Sequence, residues 1–252
     1  MGGSNSSAIV IDLKTKSIVA SIPTHGAVAG TGRADELAYD PVHHLILIAN
    51  DRDNPPFVSF LSTESRTEVG YILYPQAIFG GTNHGLEQPV WDAKKGKFYM
   101  SIPATSSHPN GEINEIDPVS KSVTNIIPTT CGPAGLALLP GQKLMTSCGD
   151  VVDIAAHTAT HVANATADEI WFNPGDDRVY FGGFVSAAVV NGLSPYNLIG
   201  NLPWTGSFAP PPPKFSHSIA ADSENNHIFL PVTNVGVMVF TDDADNGKGP
   251  DN

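Results

Sequence analysis

Short apolar runs separated by polar turns follow one another along the chain, and five of them share one pattern. Each begins with a pair of small or polar residues, continues as an apolar run and ends near Asp, Asn or Pro. The five segments are 35–41, 87–92, 134–140, 168–174 and 217–222. Their first residues recur at intervals of roughly 35 to 50 residues, which is the spacing of propeller blades. The pattern therefore predicts one structural unit repeated five times.

A second apolar run follows each of these segments, so each repeat predicts a pair of antiparallel inner strands. The second runs are 45–49, 98–102, 144–148, 179–181 and 228–232. Outer hairpins are predicted at 8–22, 58–73, 112–127, 151–163 and 187–202. Val, Ile, Phe and Tyr dominate the runs, and no segment has the period of a long amphipathic helix. We therefore predict an all-β fold, a single β-propeller domain over residues 1–241, followed by a flexible acidic tail at 242–252.

The number of blades is left open between five and six. The chain opens on the outer hairpin at 8–22 with no inner pair before it, and it closes with the inner pair at 217–232 plus one further strand. The two ends could pair to close five blades. The half repeat at the start instead favours a chain truncated at its amino terminus from a six- or seven-bladed ring. An open blade edge of that kind predicts self-association.

Four of these segments resemble YVTN-type propeller repeats and, more loosely, NHL and gluconolactonase-like propellers. The segments are Arg33-Ala-Asp-Glu-Leu-Ala-Tyr-Asp-Pro with its continuation to Asp51, Gly85-Leu-Glu-Gln-Pro-Val-Trp-Asp92, Cys131-Gly-Pro-Ala-Gly-Leu-Ala-Leu138 and His217-Ser-Ile-Ala-Ala-Asp222. The resemblance covers nearly the whole chain and implies the propeller fold. Gluconolactonase-like members hold a divalent metal with carboxylate and amide ligands at the channel mouth. Ala134 stands where many relatives have His, so any role of that His is absent here.

A propeller brings the start of every inner strand to one central channel, so the five leading positions are expected to be neighbours. The leading residues are Asp35, Glu87, Ala134, Asp168 and His217, and the residues after them are Glu36, Gln88, Gly135, Glu169 and Ser218. Clustered carboxylates repel one another, and either a bound cation or a shared proton relieves the repulsion. Oxygen ligands with at most one imidazole favour Ca²⁺, Mg²⁺ or Mn²⁺.

These residues support two hypotheses about function. In the first, the protein is a small-molecule enzyme, most plausibly a metal-assisted lactone or ester hydrolase. Asp35, Glu36, Glu87 and Glu169 are then the candidate metal ligands, and Glu87, Asp168 and His217 are the candidate catalytic residues. His84 lies just before Glu87 and could reach the same mouth. In the second hypothesis the protein is a secreted propeller that binds a ligand or partner without catalysis, and the acidic ring is merely solvated.

The composition narrows the choice of partner. The formal net charge is −12, which argues against binding to nucleic acid or to anionic membrane surfaces, because both require clustered Lys and Arg. No stretch approaches the length of apolar sequence that crosses a bilayer. A small-molecule ligand is the expected partner.

Two cysteines and two N-glycosylation sequons indicate the cellular compartment in which the protein is expected to work. Cys131 and Cys148 lie at mirrored places about the predicted turn at Pro140-Gly141, so an intra-blade disulfide is expected. Two buried free thiols are the alternative. Asn5 and Asn164 begin N-glycosylation sequons. Together these features favour a secreted protein, since disulfides persist in oxidising compartments. The first residues lack a signal peptide, so the expected signal would lie upstream; a genuine amino terminus would instead indicate the cytosol.

Overall fold

The computed structural model describes residues 2–3, 5–25, 32–80, 85–183, 187–202 and 216–241. Within these ranges the secondary structure is almost entirely β, with one 3₁₀ turn at Gln76–Phe79. The strands are β1 (Gly2–Gly3), β2 (Ser7–Asp12), β3 (Ser17–Pro23), β4 (Ala34–Asp40), β5 (Leu45–Asn50), β6 (Phe57–Ser62), β7 (Thr67–Leu73), β8 (Pro89–Asp92), β9 (Lys97–Ile102), β10 (Glu112–Asp117), β11 (Ser122–Pro128), β12 (Leu136–Leu139), β13 (Lys143–Thr146), β14 (Asp150–Asp153), β15 (Thr158–His161), β16 (Glu169–Asn173), β17 (Arg178–Gly182), β18 (Ala187–Asn191), β19 (Leu198–Asn201), β20 (Ala220–Asp222), β21 (His227–Val232) and β22 (Gly236–Thr241).

Consecutive strands pair antiparallel, and the described strands form six sheets. Four sheets have four strands each: β4–β7, β8–β11, β12–β15 and β16–β19. Two sheets have three strands, β1–β3 and β20–β22. The five predicted inner pairs correspond to β4/β5, β8/β9, β12/β13, β16/β17 and β20/β21. The all-β prediction, and the prediction that an inner strand begins at or near each repeat start, are confirmed. The predicted acidic tail and His84 lie outside the described residues.

One type of turn joins the strands of many hairpins, and it explains the Asp that ends so many of the apolar runs. Each such Asp accepts hydrogen bonds from the backbone N–H groups two and three residues later, as at Asp12, Asp40, Asp92, Asp117 and Asp153. The residue four positions after each Asp has a left-handed backbone, with φ between 51° and 64°. These residues are Lys16, His44, Gly96, Lys121 and His157. An Asp side chain stabilises this turn by replacing water at backbone donors that the turn leaves unpaired.

The chain divides into two compact units. The first unit contains Met1–Ala134 and His157–Ala159, and the second contains Gly135–Ala156 and Thr160–Asn252. In the first unit a core cluster built around Phe60, Phe98 and Met100 joins the sheets β4–β7 and β8–β11. In the second, one cluster around Phe181 joins β12–β15 to β16–β19, and another around Ile228 joins β16–β19 to β20–β22. Both faces of β5, β9, β13 and β17, the second strands of four inner pairs, are therefore largely buried.

The described residues contain no helix long and apolar enough to cross a membrane.

Candidate functional site

Asp35 and Glu36 lie in a β-bulge at the start of the inner strand β4. Ala34 pairs with Asn50 and Leu37 pairs with Ile48, so Asp35 and Glu36 together face the single residue between those two partners. Both acidic residues are half-buried. A bulge of this kind turns side chains away from the regular alternation of the strand and is common beside functional sites.

Arg33 provides the positive charge of this acidic cluster. Its Nη2 and Nε atoms donate to the two carboxylate oxygens of Asp51, at 2.8 and 3.1 Å. The same Nη2 forms an ion pair with Asp35. The hydrogen bonds to Asp51 raise the pKa of Arg33, and the charges of Asp51, Asp35 and Glu87 raise it further. Arg33 thus contacts two carboxylates with its planar fork, which suits two oxygens at once, and Arg52 Nε lies 3.5 Å from Asp51 Oδ2 as a second ion pair.

Asp53 is a further carboxylate of this cluster, and it is buried. Burial raises the pKa of Asp53, and the neighbouring charge of Asp51 adds to the effect, whereas the 2.8 Å hydrogen bond from Ser6 opposes it. Gly32 leaves room for this pair, because a Cβ atom at that position would lie 2.0 Å from the Ser6 hydroxyl oxygen. Sequence reasoning missed Arg33, Asp51 and Asp53, although they flank the inner strands β4 and β5 at the same end as Asp35.

The predicted metal ligands Asp35, Glu36 and Glu87 of the first unit stay a prediction. Among the residues described for this unit, Asp35, Glu36 and Glu87 do not bring three ligand atoms within 4.8 Å of one another. Arg33 Nη2 forms an ion pair with Oδ2 of Asp35. A guanidinium beside a metal ion would oppose its binding by like-charge repulsion.

Arg33→Met should lower the free energy of unfolding by about 2 kcal/mol, because it removes the cation that pairs with both Asp35 and Asp51 while keeping much of the apolar stem. The guanidinium is 41% exposed, so solvent screens part of the effect. Chemical denaturation measures the loss. Added Ca²⁺ should restore part of it in the variant and have little effect on the wild type. Equal stability of the two proteins without Ca²⁺ would contradict the assigned role of Arg33.

In the second unit, Asp168 and His217 form a hydrogen-bonded pair. His217 Nδ1 lies 2.5 Å from Asp168 Oδ2. A carboxylate carries no proton to donate, so the proton of this hydrogen bond belongs to Nδ1, and this tautomer of a neutral imidazole has its lone pair on Nε2. The imidazole side chain is 48% exposed. The contact with Asp168 therefore orients the His217 ring within a partly exposed site.

A second side-chain hydrogen bond joins Ser218 and Glu169, the residues that directly follow His217 and Asp168. Ser218 Oγ donates a hydrogen bond to Glu169 Oε2, and the Glu169 backbone N–H donates to the His217 carbonyl at 3.2 Å. Ser216 is buried, and its hydroxyl donates to the Ser218 carbonyl at 2.6 Å. These bonds fix the backbone that carries His217, even though residues 203–215 before it lie outside the described part of the chain.

Close packing explains why the second position of the third repeat is Gly135 and carries no acidic side chain. A Cβ atom at this position would lie 2.6 Å from the Asp168 carbonyl oxygen and 2.8 Å from the Glu169 Cα. The start of β12 thus passes so close to the start of β16 that a side chain cannot be accommodated without backbone movement. Within the second unit, Gly135 thus lies beside Asp168, and Asp168 lies beside His217.

The predicted disulfide is confirmed. Cys131 and Cys148 are disulfide-bonded, and there is no free cysteine in the structure. The bond is compatible with a secreted protein. The sequon residues Asn5 and Asn164 are both exposed, so a glycan could attach at either position without entering the core. Their glycosylation stays a prediction.

Comparisons with known proteins identify the fold and nothing narrower. No protein family model and no curated protein sequence matches the chain. Among solved structures, hydrazine synthase from Kuenenia stuttgartiensis is similar with a TM-score of 0.67 at 14% identity, over 94% of this chain and 70% of that one. A chain of a mitotic checkpoint complex is similar with a TM-score of 0.67 at 10% identity, over 96% of this chain and 70% of that one. At such low identity the likeness shows the fold alone. The repeated antiparallel sheets and these similarities show that the chain has a β-propeller fold.

Proposed function

We propose that this protein hydrolyses a small lactone or ester, with His217 as general base and Asp168 as its positioning partner. The observation that carries the proposal is the 2.5 Å contact between His217 Nδ1 and Asp168 Oδ2, in a His217 side chain that is 48% exposed. An imidazole held by a carboxylate in this way is the arrangement that proton-transfer catalysis requires.

The reaction would proceed in two proton transfers. His217 Nε2 accepts a proton from a water molecule while the water oxygen forms a bond to the substrate carbonyl carbon. The resulting imidazolium is stabilised by the Asp168 carboxylate, which stays unprotonated. The imidazolium then returns its proton to the alkoxide as the ester carbon–oxygen bond breaks. The products are a carboxylic acid and an alcohol, or one hydroxy acid from a lactone.

The substrate class rests on the resemblance of the repeats to gluconolactonase-like propellers. The acidic composition also suits a small neutral substrate rather than an anionic polymer, because a net charge of −12 repels polyanions. Glu169 lies beside the pair with its carboxylate held by Ser218, and it could orient a substrate hydroxyl. We further propose that the protein works outside the cytosol, as the disulfide and the exposed sequons suggest.

The test is hydrolysis of a panel of aliphatic and sugar lactones and of aryl esters, with EDTA and with added Ca²⁺, Mg²⁺ or Mn²⁺. We expect turnover above the buffer rate that persists in EDTA. Calorimetric titration of the wild type and Glu87→Gln with the same ions tests metal binding separately. Turnover that depends strictly on an added ion would replace the metal-free mechanism with the metal-assisted one that the sequence predicts.

A non-catalytic ligand-binding propeller is the second candidate. The network of Arg33 with Asp35 and Asp51 favours it, because compensated ion pairs of this kind also occur where no reaction takes place. This candidate predicts no turnover of any panel member and no ion binding at millimolar concentrations.

A further inference from the structure

Two side chains with metal-binding atoms lie beside the disulfide. Asp150 begins β14 and is fully buried, whereas the side chain of His161, the last residue of β15, is 46% exposed. His161 Nδ1 lies 3.2 Å from Asp150 Oδ1. The Sγ atom of Cys131, which the disulfide bonds to Cys148, lies within 4.8 Å of one ligand atom of each. A carboxylate, an imidazole and a cysteine sulfur therefore lie together.

The short connection between β13 and β14 keeps Cys148 and Asp150 close to each other. Gly149 lies between them and has a φ of 92°. A Cβ atom at Gly149 would lie 1.9 Å from the Ala163 carbonyl oxygen and 3.1 Å from His161 Cε1. Because only glycine fits so close an approach, the connection packs directly against the hairpin strand that carries His161.

Thr146 holds the same connection through its hydroxyl group. The Thr146 Oγ1 atom accepts a hydrogen bond from the Asp150 backbone N–H at 2.9 Å and lies 3.3 Å from Cys148 Sγ. Thr146 is buried, and Cys148 is half-buried. The backbone that carries the sulfur and the carboxylate is therefore already ordered, which lowers the entropy cost of binding a ligand there.

The redox state of the two cysteines decides which ligands this place offers. A thiolate binds metal ions, whereas a sulfur in a disulfide is a poor ligand. A dithiol reductant breaks the bond between the two sulfurs and leaves two thiols, while the dithiol is oxidised to its own disulfide. Zn²⁺ then displaces the thiol protons to solvent as its bonds to sulfur form. Thiolate and imidazole ligands favour zinc over Ca²⁺ or Mg²⁺.

We propose that the reduced protein binds one Zn²⁺ through Cys131, Cys148, Asp150 and His161, and that the disulfide abolishes this site. Two thiolates, one carboxylate and one imidazole supply the four ligands of tetrahedral zinc. Ligand atoms around zinc lie roughly 3 to 4 Å apart, so the group needs only a small contraction, which the partly exposed imidazole can supply. The proposal is independent of the hydrolytic function proposed for His217.

The test compares the oxidised full chain with the chain reduced by a dithiol and separated from it by gel filtration under argon. Competition with a chromophoric zinc chelator should show one tightly bound Zn²⁺ per reduced chain and none per oxidised chain. Co²⁺ should give the intense thiolate-to-cobalt absorption in the reduced protein alone. Zinc should also raise the urea midpoint of the reduced protein and leave that of the oxidised protein unchanged, because a ligand stabilises the state that binds it.

Two variants test the ligands other than cysteine. His161→Gln should weaken zinc binding to the reduced protein by at least about tenfold, and Asp150→Asn should have a similar effect. Because Asp150 is buried, the melting temperature of the oxidised Asp150→Asn protein shows whether this variant folds. His157→Gln is the matched control, since His157 is an exposed histidine just before β15. Its zinc affinity should stay within about twofold of the wild type.

Three results would overturn the proposal. The first is equal zinc affinity of the oxidised and reduced proteins, which would assign binding to surface histidines. The second is the absence of bound zinc in the reduced protein at about 0.1 mM free Zn²⁺. The third is wild-type affinity in reduced His161→Gln, which would leave zinc bound by the thiolates without the imidazole.

Discussion

His217→Gln is expected to lower the rate of lactone or ester hydrolysis by at least about a hundredfold. Glutamine can keep a hydrogen bond to Asp168 but cannot accept a proton from water, so kcat should fall while KM changes little. The imidazole is 48% exposed, so its replacement should leave the melting temperature nearly unchanged. Steady-state kinetics with a panel substrate, together with thermal melting, measure both quantities.

Two further variants show whether the effect belongs to the pair. Asp168→Asn removes the charge that stabilises the imidazolium, and it should lower kcat by a similar order of magnitude. His227→Gln is the matched control, because His227 lies on β21 with its ring against Phe229 and away from the pair. We expect wild-type kinetics for this control. Equal loss in His227→Gln, or an unchanged rate in His217→Gln, would exclude His217 as the general base.

The strands could be predicted because their signal is local and repeated. An Asp at the end of β4, β8 or β10 is followed by the same hydrogen-bonded turn each time, so one pattern locates several hairpins at once. The disulfide could be predicted for a related reason. Two residues at equal distances from a hairpin turn face each other across the strand pair, so numbering alone indicates their proximity.

The charge balance of the site could not be predicted from the repeat. Aligning repeats compares residues at one position, whereas Arg33 precedes the aligned segment and Asp51 follows the second strand. Their contact depends on the direction of a long side chain and on the bulge at Asp35 and Glu36. The sequence therefore indicated a cluster of acids but not the guanidinium that compensates it. The repeat alignment likewise predicted that Asp168 and His217 are neighbours, but it did not predict the hydrogen bond between their side chains.

Removal of the disulfide should cause the largest loss of stability among these predictions. The bond between Cys131 and Cys148 closes a loop that contains the inner strands β12 and β13. Closing a loop of this size stabilises the folded chain by roughly 3 kcal/mol in the chain-entropy description, because the crosslink reduces the freedom of the unfolded chain. The double variant Cys131→Ala with Cys148→Ala should therefore melt roughly 10 °C below the oxidised wild type.

The loss should remain well short of complete unfolding, because hydrogen bonds hold the same end of the hairpin. The Ser147 N–H donates to the Gly135 carbonyl at 2.8 Å, and the Gly135 N–H donates to the Ser147 hydroxyl oxygen at 2.9 Å.

Urea denaturation of oxidised wild type, reduced wild type and the double variant separates the contribution of the disulfide from that of these hydrogen bonds. Reduction should bring the wild type to the midpoint of the double variant and should not affect the variant itself. Ser147→Ala serves as a comparison, since losing one buried hydrogen bond should cost only about 1 kcal/mol. If oxidised and reduced wild type unfold at the same urea concentration, the crosslink does not stabilise the fold, and the hydrogen bonds and the core around β13 must hold this hairpin without it.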